Sequence, residues 1–264
     1  MRPLSARNPR VTRLNRLVRR REERVEQRAF VVEGPVLVRA ALEAGAELID
    51  VYVDDDAMQR PAVAALLDDL PAEVDTWLLP VGTLDRIGDA TTSQGVLATV
   101  RLPRSRWPDP SHTDLVMVLV DVADPGNTGT LLRTATAAGA GAVVVVGGAD
   151  PTSPKVVRSS AGAVFSIDVV TFDSPDLAIE NLKTAGYVTV GTTVQGGENY
   201  DEADLSGSVA VVVGNEAHGL DSAVMASLDR LVTIPMAGPT ESLNVAMAGT
   251  LVAFEVLRQR RRAV

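Results

Sequence analysis

Apolar and polar positions along this chain of 264 residues switch repeatedly between a helical and a strand period. Residues 11–27 lack Gly and Pro; Leu14, Leu17, Val18 and Val25 recur at roughly helical spacing with Arg on the other faces, which predicts one amphipathic helix. AFVVEG (29–34) predicts a buried strand and 36–44 a helix. LIDVYVDD (48–55) alternates as a strand does, a helix follows at 62–70, and VDTWLLP and QGVLATVRLP add two strands. This alternation predicts a small N-terminal α/β/α domain over residues 1–102.

Residues 103–112 (PRSRWPDPSH) hold three Pro and no periodicity, and read as a linker. The alternation then resumes over 113–264. Strands are expected at LVMVLVDV, AVVVVGG, SIDVVTF, VTVGTTV, VAVVVGN and LVTIPM, and helices from Asn127, near 155–163, at 176–185, at 222–228 and from Ser242. Continuous Val-rich strands mean that both faces of the sheet are covered, hence a parallel α/β sheet. In the last helix Val245, Ala248, Val252 and Val256 form one apolar stripe and Met247, Leu251 and Phe254 a second. The second exceeds what packing on one core requires, so a homodimer is expected.

Composition narrows the classes. With 46 % hydrophobic and 22 % charged residues the chain reads as a globular protein able to bury a real core. Cysteine is absent, which removes disulfide and thiolate chemistry and fits a reducing cytoplasm. No apolar run approaches the ~20 residues that span a bilayer, so no membrane role is expected. No His/Asp/Glu cluster suggests a metal, and two His leave few nucleophile triads. The net charge of -9 conceals an asymmetry: residues 1–28 carry +7 and the remaining 236 carry -16. A basic arm on an acidic body points to nucleic acid, with Arg10, Arg13, Arg19, Arg20 and Arg21 as candidate phosphate contacts.

The candidate chemistry lies in three segments at the ends of strands: NTGTLLRTATAAGA (127–140), VVVGNEAHGL (211–220) and IPMAGPTESLNVAMAG (234–249). On spacing alone Asn127 is a helix N-cap, Arg133 a solvated helix residue, Gly214-Asn215-Glu216 a polar turn, and Ser242 the cap of the final helix. His218 reads as an ordinary loop residue. None of the three is a phosphate-cradling P-loop or a complete G-x-G-x-x-G turn.

In this order the segments resemble the three motifs of the SpoU (TrmH-type) RNA ribose 2'-O-methyltransferases, members of the SPOUT superfamily. The resemblance covers residues from about 120 to 259. It implies a C-terminal parallel-sheet domain with a deep trefoil knot, S-adenosylmethionine as cofactor, structured RNA as substrate and a homodimer. It implies that Arg133 is catalytic with Asn127 and Glu216 beside it. Backbone groups near Gly214, Ile234, Met236 and Leu243 then hold the cofactor, Thr192 or Thr193 adds a contact, and Ser242 and Asn244 lie towards the RNA. Phe30-Val31-Val32-Glu33-Gly34 and Ser93-Gln94-Gly95-Val96 resemble the substrate-binding domain of such enzymes, in which ribosomal RNA is favoured over transfer RNA. A Rossmann-type methyltransferase fits less well, since Gly147-Gly148 lacks its pattern. A non-catalytic RNA-binding or ribosome-assembly factor is the alternative from another class; Asn127, Arg133, Glu216, Ser242 and Asn244 standing together argue against it.

Overall fold

The computed structural model describes residues 1–89 and 93–263. The chain divides into two compact units, Met1–Pro103 with Thr152–Phe165, and Arg104–Pro151 with Ser166–Val264.

The first unit runs β1 (Arg2–Pro3), α1 (Pro9–Arg19), α2 (Arg21–Gln27), β2 (Ala29–Glu33), α3 (Pro35–Glu43), β3 (Leu48–Asp54), α4 (Pro61–Asp68), β4 (Asp75–Leu79) and β5 (Val96–Arg101). Its five strands lie in the order β1-β4-β3-β5-β2, with β5 antiparallel to both neighbours. The two-residue β1 is too short to leave a periodic signature in the sequence. Leu14 and Leu17 of α1 are fully buried against Val31, Tyr52, Leu79 and Leu97 of the sheet. The segment expected to be a basic arm is therefore part of the core. It is also two helices rather than one: the chain is extended at Arg20 (φ -123°, ψ 121°). The break is stabilised by Arg24, a buried residue whose Nη1 donates to the carbonyls of Leu17 at 2.7 Å and Val18 at 3.1 Å. These are carbonyls that the end of α1 would otherwise leave unsatisfied. After the break the apolar register is lost, and Val25, expected on the buried stripe, is 61 % exposed.

The second unit runs β6 (Leu115–Val120), α5 (Pro125–Ala137) and β7 (Ala142–Val146). The chain then passes through α6 (Pro154–Ser159), which belongs to the first unit, where it packs on β2. There Phe165 stacks on Phe30 with centroids 6.0 Å apart, and Arg158 pairs with Asp89 at 2.9 Å and Glu33 at 3.4 Å. The second unit continues with β8 (Asp168–Phe172), α7 (Pro175–Ala185), β9 (Val188–Thr192), β10 (Glu198–Asn199), β11 (Val209–Val213), α8 (Ser222–Ser227), β12 (Arg230–Thr233) and α9 (Val245–Ala263). Its seven strands lie in the order β10-β12-β9-β11-β6-β7-β8, all pairs parallel. The short β10, like β1, has no signature in the sequence. Val116, Val118 and Val120 share one buried cluster with Ile179 and Leu182 of α7 and Val224 of α8. On the other side α9 crosses α5 so closely that a Cβ on Gly249 would lie 2.6 Å from Leu131 and 3.3 Å from Val213. Both faces of the sheet are thus covered, as its unbroken Val runs require.

The Pro-rich segment after residue 103 runs along β8. Ser105 Oγ donates to the Val169 carbonyl at 2.6 Å, the Arg106 N–H donates to Asp168 at 3.2 Å, and Trp107 packs on Phe172 at 5.1 Å. It covers what would otherwise be an open strand edge.

Candidate active site

The three strands β9, β11 and β12 end on one side of the sheet, and the loops leaving them enclose a cavity of about 430 Å³. This lies within the ~300–1,000 Å³ typical of small-molecule sites. Thr192 and Thr193 line it from the end of β9, Gly214 and Glu216 from the end of β11, and Ile234 and Met236 from the end of β12. Ser242 and Leu243 close it ahead of α9. Every residue expected to touch a cofactor is therefore in one place. The ionisable residues lining the cavity are Glu216, His218 and Glu241, and no Lys or Arg among the described residues lines it.

Glu216 joins the motifs. Its Oε1 accepts from the Asn127 side-chain amide and the Asp124 N–H, both at 2.9 Å, and its Oε2 accepts from the Ala123 N–H at 3.0 Å. Asn127 Oδ1 in turn accepts from Asn244 Nδ2 at 3.0 Å, and Asn244 Oδ1 accepts from the Ala246 N–H at 2.9 Å. The chain of bonds runs from a carboxylate through two amides to the first turn of α9. Partial burial works against ionisation of Glu216, but the hydrogen bonds from Asn127, Ala123 and Asp124 outweigh it and hold the carboxyl below its usual range.

Two capping assignments change. The N-cap of α5 is Asp124, whose Oδ1 accepts from the Asn127 N–H at 2.9 Å, with Pro125 at the first helical position. Asn127 is thereby free to turn its side chain to Glu216. Ahead of α9 the cap is Asn244 rather than Ser242, because the helix starts at Val245. Asp124-Pro125 was a legible signal, since Asp before Pro is a common helix start.

Asn215, for which the motif alone suggests only a turn, proves to be its brace. Its Nδ2 donates to the Asp121 carbonyl at 2.9 Å, and its Oδ1 accepts from the N–H groups of Ala217 at 2.9 Å and His218 at 3.3 Å. Asn215 and Gly219 also exchange backbone bonds of 3.0 and 2.8 Å. The turn is thus rigid, and it places His218 on the cavity. Gly214 has no room for a side chain: a Cβ there would stand 2.3 Å from the Gly219 carbonyl carbon.

These features have counterparts in known proteins. Residues 114–254 match the model of the SpoU rRNA Methylase family, and residues 8–98 match an MRM3-like substrate binding domain. The chain belongs to the SpoU rRNA methylase family. The 23S rRNA (guanosine(2553)-2'-O)-methyltransferase RlmP of Bacillus subtilis is 33 % identical, over 96 % of this chain and 97 % of its own length. The 23S rRNA (uridine(2479)-2'-O)-methyltransferase of Streptomyces viridochromogenes is 32 % identical, over 98 % of this chain and 93 % of its own. Among solved structures, the SpoU methyltransferase AviRb from Streptomyces viridochromogenes in complex with the cofactor AdoMet superposes with a TM-score of 0.87 at 30 % identity, covering 97 % of this chain and 99 % of that one. As a SpoU methylase the chain is an RNA methyltransferase. The second and third segments line the cavity, whereas the first, 127–140, does not and is tied to them through Asn127.

Arg133 stands apart from the cavity of its own chain. It is exposed on α5 and makes no side-chain hydrogen bond or ion pair among the described residues. The basic residues of the first unit fall into two groups. Arg10 and Arg13 each lie 3.2 Å from Asp50, which is 2 % exposed, and Arg10 also covers the Trp77 ring at 4.5 Å. Their charge is compensated within the fold. Arg19 is held by Asn15 at 2.9 Å, whereas Arg20 and Arg21 are exposed with no such partner among the described residues. Also among the described residues, no group of three or more His, Cys, Asp or Glu could hold a metal, and no helix is long and apolar enough to cross a membrane.

Proposed function

We propose that this protein transfers the methyl group of AdoMet to a ribose 2'-hydroxyl of 23S ribosomal RNA in the cytoplasm, as a homodimer. The observation that carries the reading is one cavity walled by the second and third strand-end motifs, with the first tied to both through Asn127, which bonds Glu216 and Asn244. The cavity fits the cofactor in size, in its backbone-rich walls and in holding carboxylates but no cation among the described residues. AdoMet, when bound, supplies an electrophilic methyl group on a positively charged sulfur. Residues 1–102 serve as the substrate RNA-binding domain and 113–264 as the catalytic one, in keeping with the family matches at 8–98 and 114–254.

The chain's residues have separate tasks. Loop backbone around Gly214, Ile234, Met236 and Leu243 holds the cofactor, with Thr192 and Thr193 at its side. Glu216 stays ionised with three N–H groups on its oxygens, so it braces the motifs rather than taking up a proton. Arg133 binds an RNA phosphate and polarises the ribose hydroxyl; a guanidinium with a pKa above ~12 is a poor proton acceptor but a strong electrostatic one. Because Arg133 does not line its own pocket, we assign it to the pocket of the other subunit. That reading is supported by Met247, Leu251 and Phe254, which form an exposed apolar stripe on α9, 63 %, 39 % and 43 % accessible.

A deep trefoil knot completes the reading. It is supported by β11 lying between β9 and β6, and by α9 packing on α5 and β11 after the chain has left β12 at the far side of β9. The test is to map ribose methylation in ribosomal and transfer RNA from cells with and without this protein. Loss of one 2'-O-methyl group in 23S rRNA is expected. A change in transfer RNA alone would redirect the substrate assignment, and no change in either would overturn it.

A further inference from the structure

The carboxylates of the cavity have unequal duties. Glu216 is engaged by backbone and amide N–H groups, whereas Glu241, the other acidic residue lining the cavity, makes no hydrogen bond or ion pair among the described residues. No Lys or Arg among those residues lines the cavity to offset it, and the third ionisable group there is His218. An uncompensated carboxylate at a ligand pocket favours a ligand with net positive charge. Resting on the AdoMet reading, we infer that Glu241 selects AdoMet over its own demethylated product, S-adenosylhomocysteine, by charge.

The chemistry supplies the difference. AdoMet carries a sulfonium, an ammonium and a carboxylate, hence one net positive charge. On transfer the C–S bond breaks with its electron pair left on sulfur, the methyl carbon bonds to the ribose oxygen, and the hydroxyl proton leaves to solvent or a base. The product is a neutral thioether with its ammonium and carboxylate balanced. Shape and hydrogen bonding are almost unchanged, so the backbone contacts at Gly214, Ile234 and Leu243 hold both molecules alike. A fixed negative charge distinguishes them, binding the reactant more strongly and leaving the product without that attraction. The effect is screened because Glu241 is exposed, which limits it to a modest factor.

Calorimetric titration of the whole 264-residue chain with AdoMet and with S-adenosylhomocysteine, on wild type and Glu241→Gln, tests this. The Gln variant keeps size and polarity but removes the charge. We expect the AdoMet dissociation constant to rise about two- to fivefold while that of the product stays constant, the scale of an exposed charge pair. The wild-type preference should also shrink as salt is raised, and that of the variant should shrink less, since the Glu216 charge remains. Equal weakening of both ligands, or no change in either, overturns the inference and leaves the AdoMet pocket standing. Failure of wild type to bind either ligand overturns the pocket reading and this inference with it.

Discussion

At the scale of single residues, the polar side chains of the three motifs divide into those bonded within the protein and those left exposed. Glu216, Asn127, Asn215 and Asn244 each use their side-chain polar atoms within the protein. Arg133 does not, and it is the cation to vary. Arg133→Ala should lower methyl transfer at least ~100-fold, the loss that follows removal of a positioned electrostatic group. Cofactor affinity measured by calorimetry should stay near wild type, because Arg133 is assigned to the RNA phosphate and the ribose rather than to the loops that hold the cofactor. Arg133→Lys should restore RNA binding but little of the rate, since Lys lacks the planar fork. Near-normal turnover in the Ala variant would remove Arg133 from the mechanism. A second residue offers a pH test. Asp54 is 2 % exposed, and burial pushes its carboxyl up to about 6 despite the N–H of Leu84. A carboxyl raised in the folded state stabilises the fold fully below its unfolded pKa of ~3.9, and this stability is lost as pH rises through about 6. Asp54→Asn should therefore raise stability at pH 7.5 by up to ~3 kcal/mol in chemical denaturation, with the gain vanishing near pH 4. A gain that does not vary with pH would show that packing, not charge, is responsible.

At the scale of elements, α9 is the most informative. Val252, Ala253 and Val256 are fully buried, and Gly249 permits close crossing over α5. The neighbouring stripe of Met247, Leu251 and Phe254 is left accessible. Phe254→Arg adds a charge where a dimer would bury a ring, yet removes nothing from the core of one subunit. It should convert the protein to a monomer in sedimentation at micromolar concentration while AdoMet binding survives. If Arg133 acts across the dimer, methyl transfer should fall as far as in Arg133→Ala. A wild-type monomer at that concentration would end the dimer reading. The break between α1 and α2 shows a similar competition. Its residues have good helical character, but satisfying Leu17 and Val18 through Arg24 competes with continuing the helix.

At the scale of the whole molecule, the basic N-terminus is both core and surface. Removing residues 1–27 would strip Leu14 and Leu17 from the sheet, so that truncation should unfold the first unit rather than report on RNA. The informative change is charge alone. Arg20→Glu with Arg21→Glu should weaken RNA binding and flatten the slope of log affinity against log salt by ~0.7–0.9 for each phosphate no longer neutralised. Arg10→Ala should act instead on stability, because Asp50 would keep a buried charge with one partner fewer. An unchanged salt slope in the double variant would show that Arg20 and Arg21 do not meet phosphates.

How much of this was legible follows from which forces are local. Strand and helix type in the second unit came from apolar runs such as Ala142–Val146 of β7 and the alternating elements around them, because a strand buried on both faces must be apolar throughout. The loops that carry the pocket were marked by Gly, Pro and Asn at strand ends, but their residues were named through the resemblance to the SpoU enzymes and not by spacing. Sequence alone did not decide the fate of charges. Arg10, Arg13 and Arg24 look like Arg20 and Arg21, and only the fold sets the first three against Asp50 or helix carbonyls. Nor did it decide that Thr152–Phe165 packs with the first unit, or that Asn127 leaves its helix end to bind Glu216. Periodicity records which face of an element is dry. The partner that meets a polar group is chosen by residues dozens of positions away, and that choice exists only once the chain has folded.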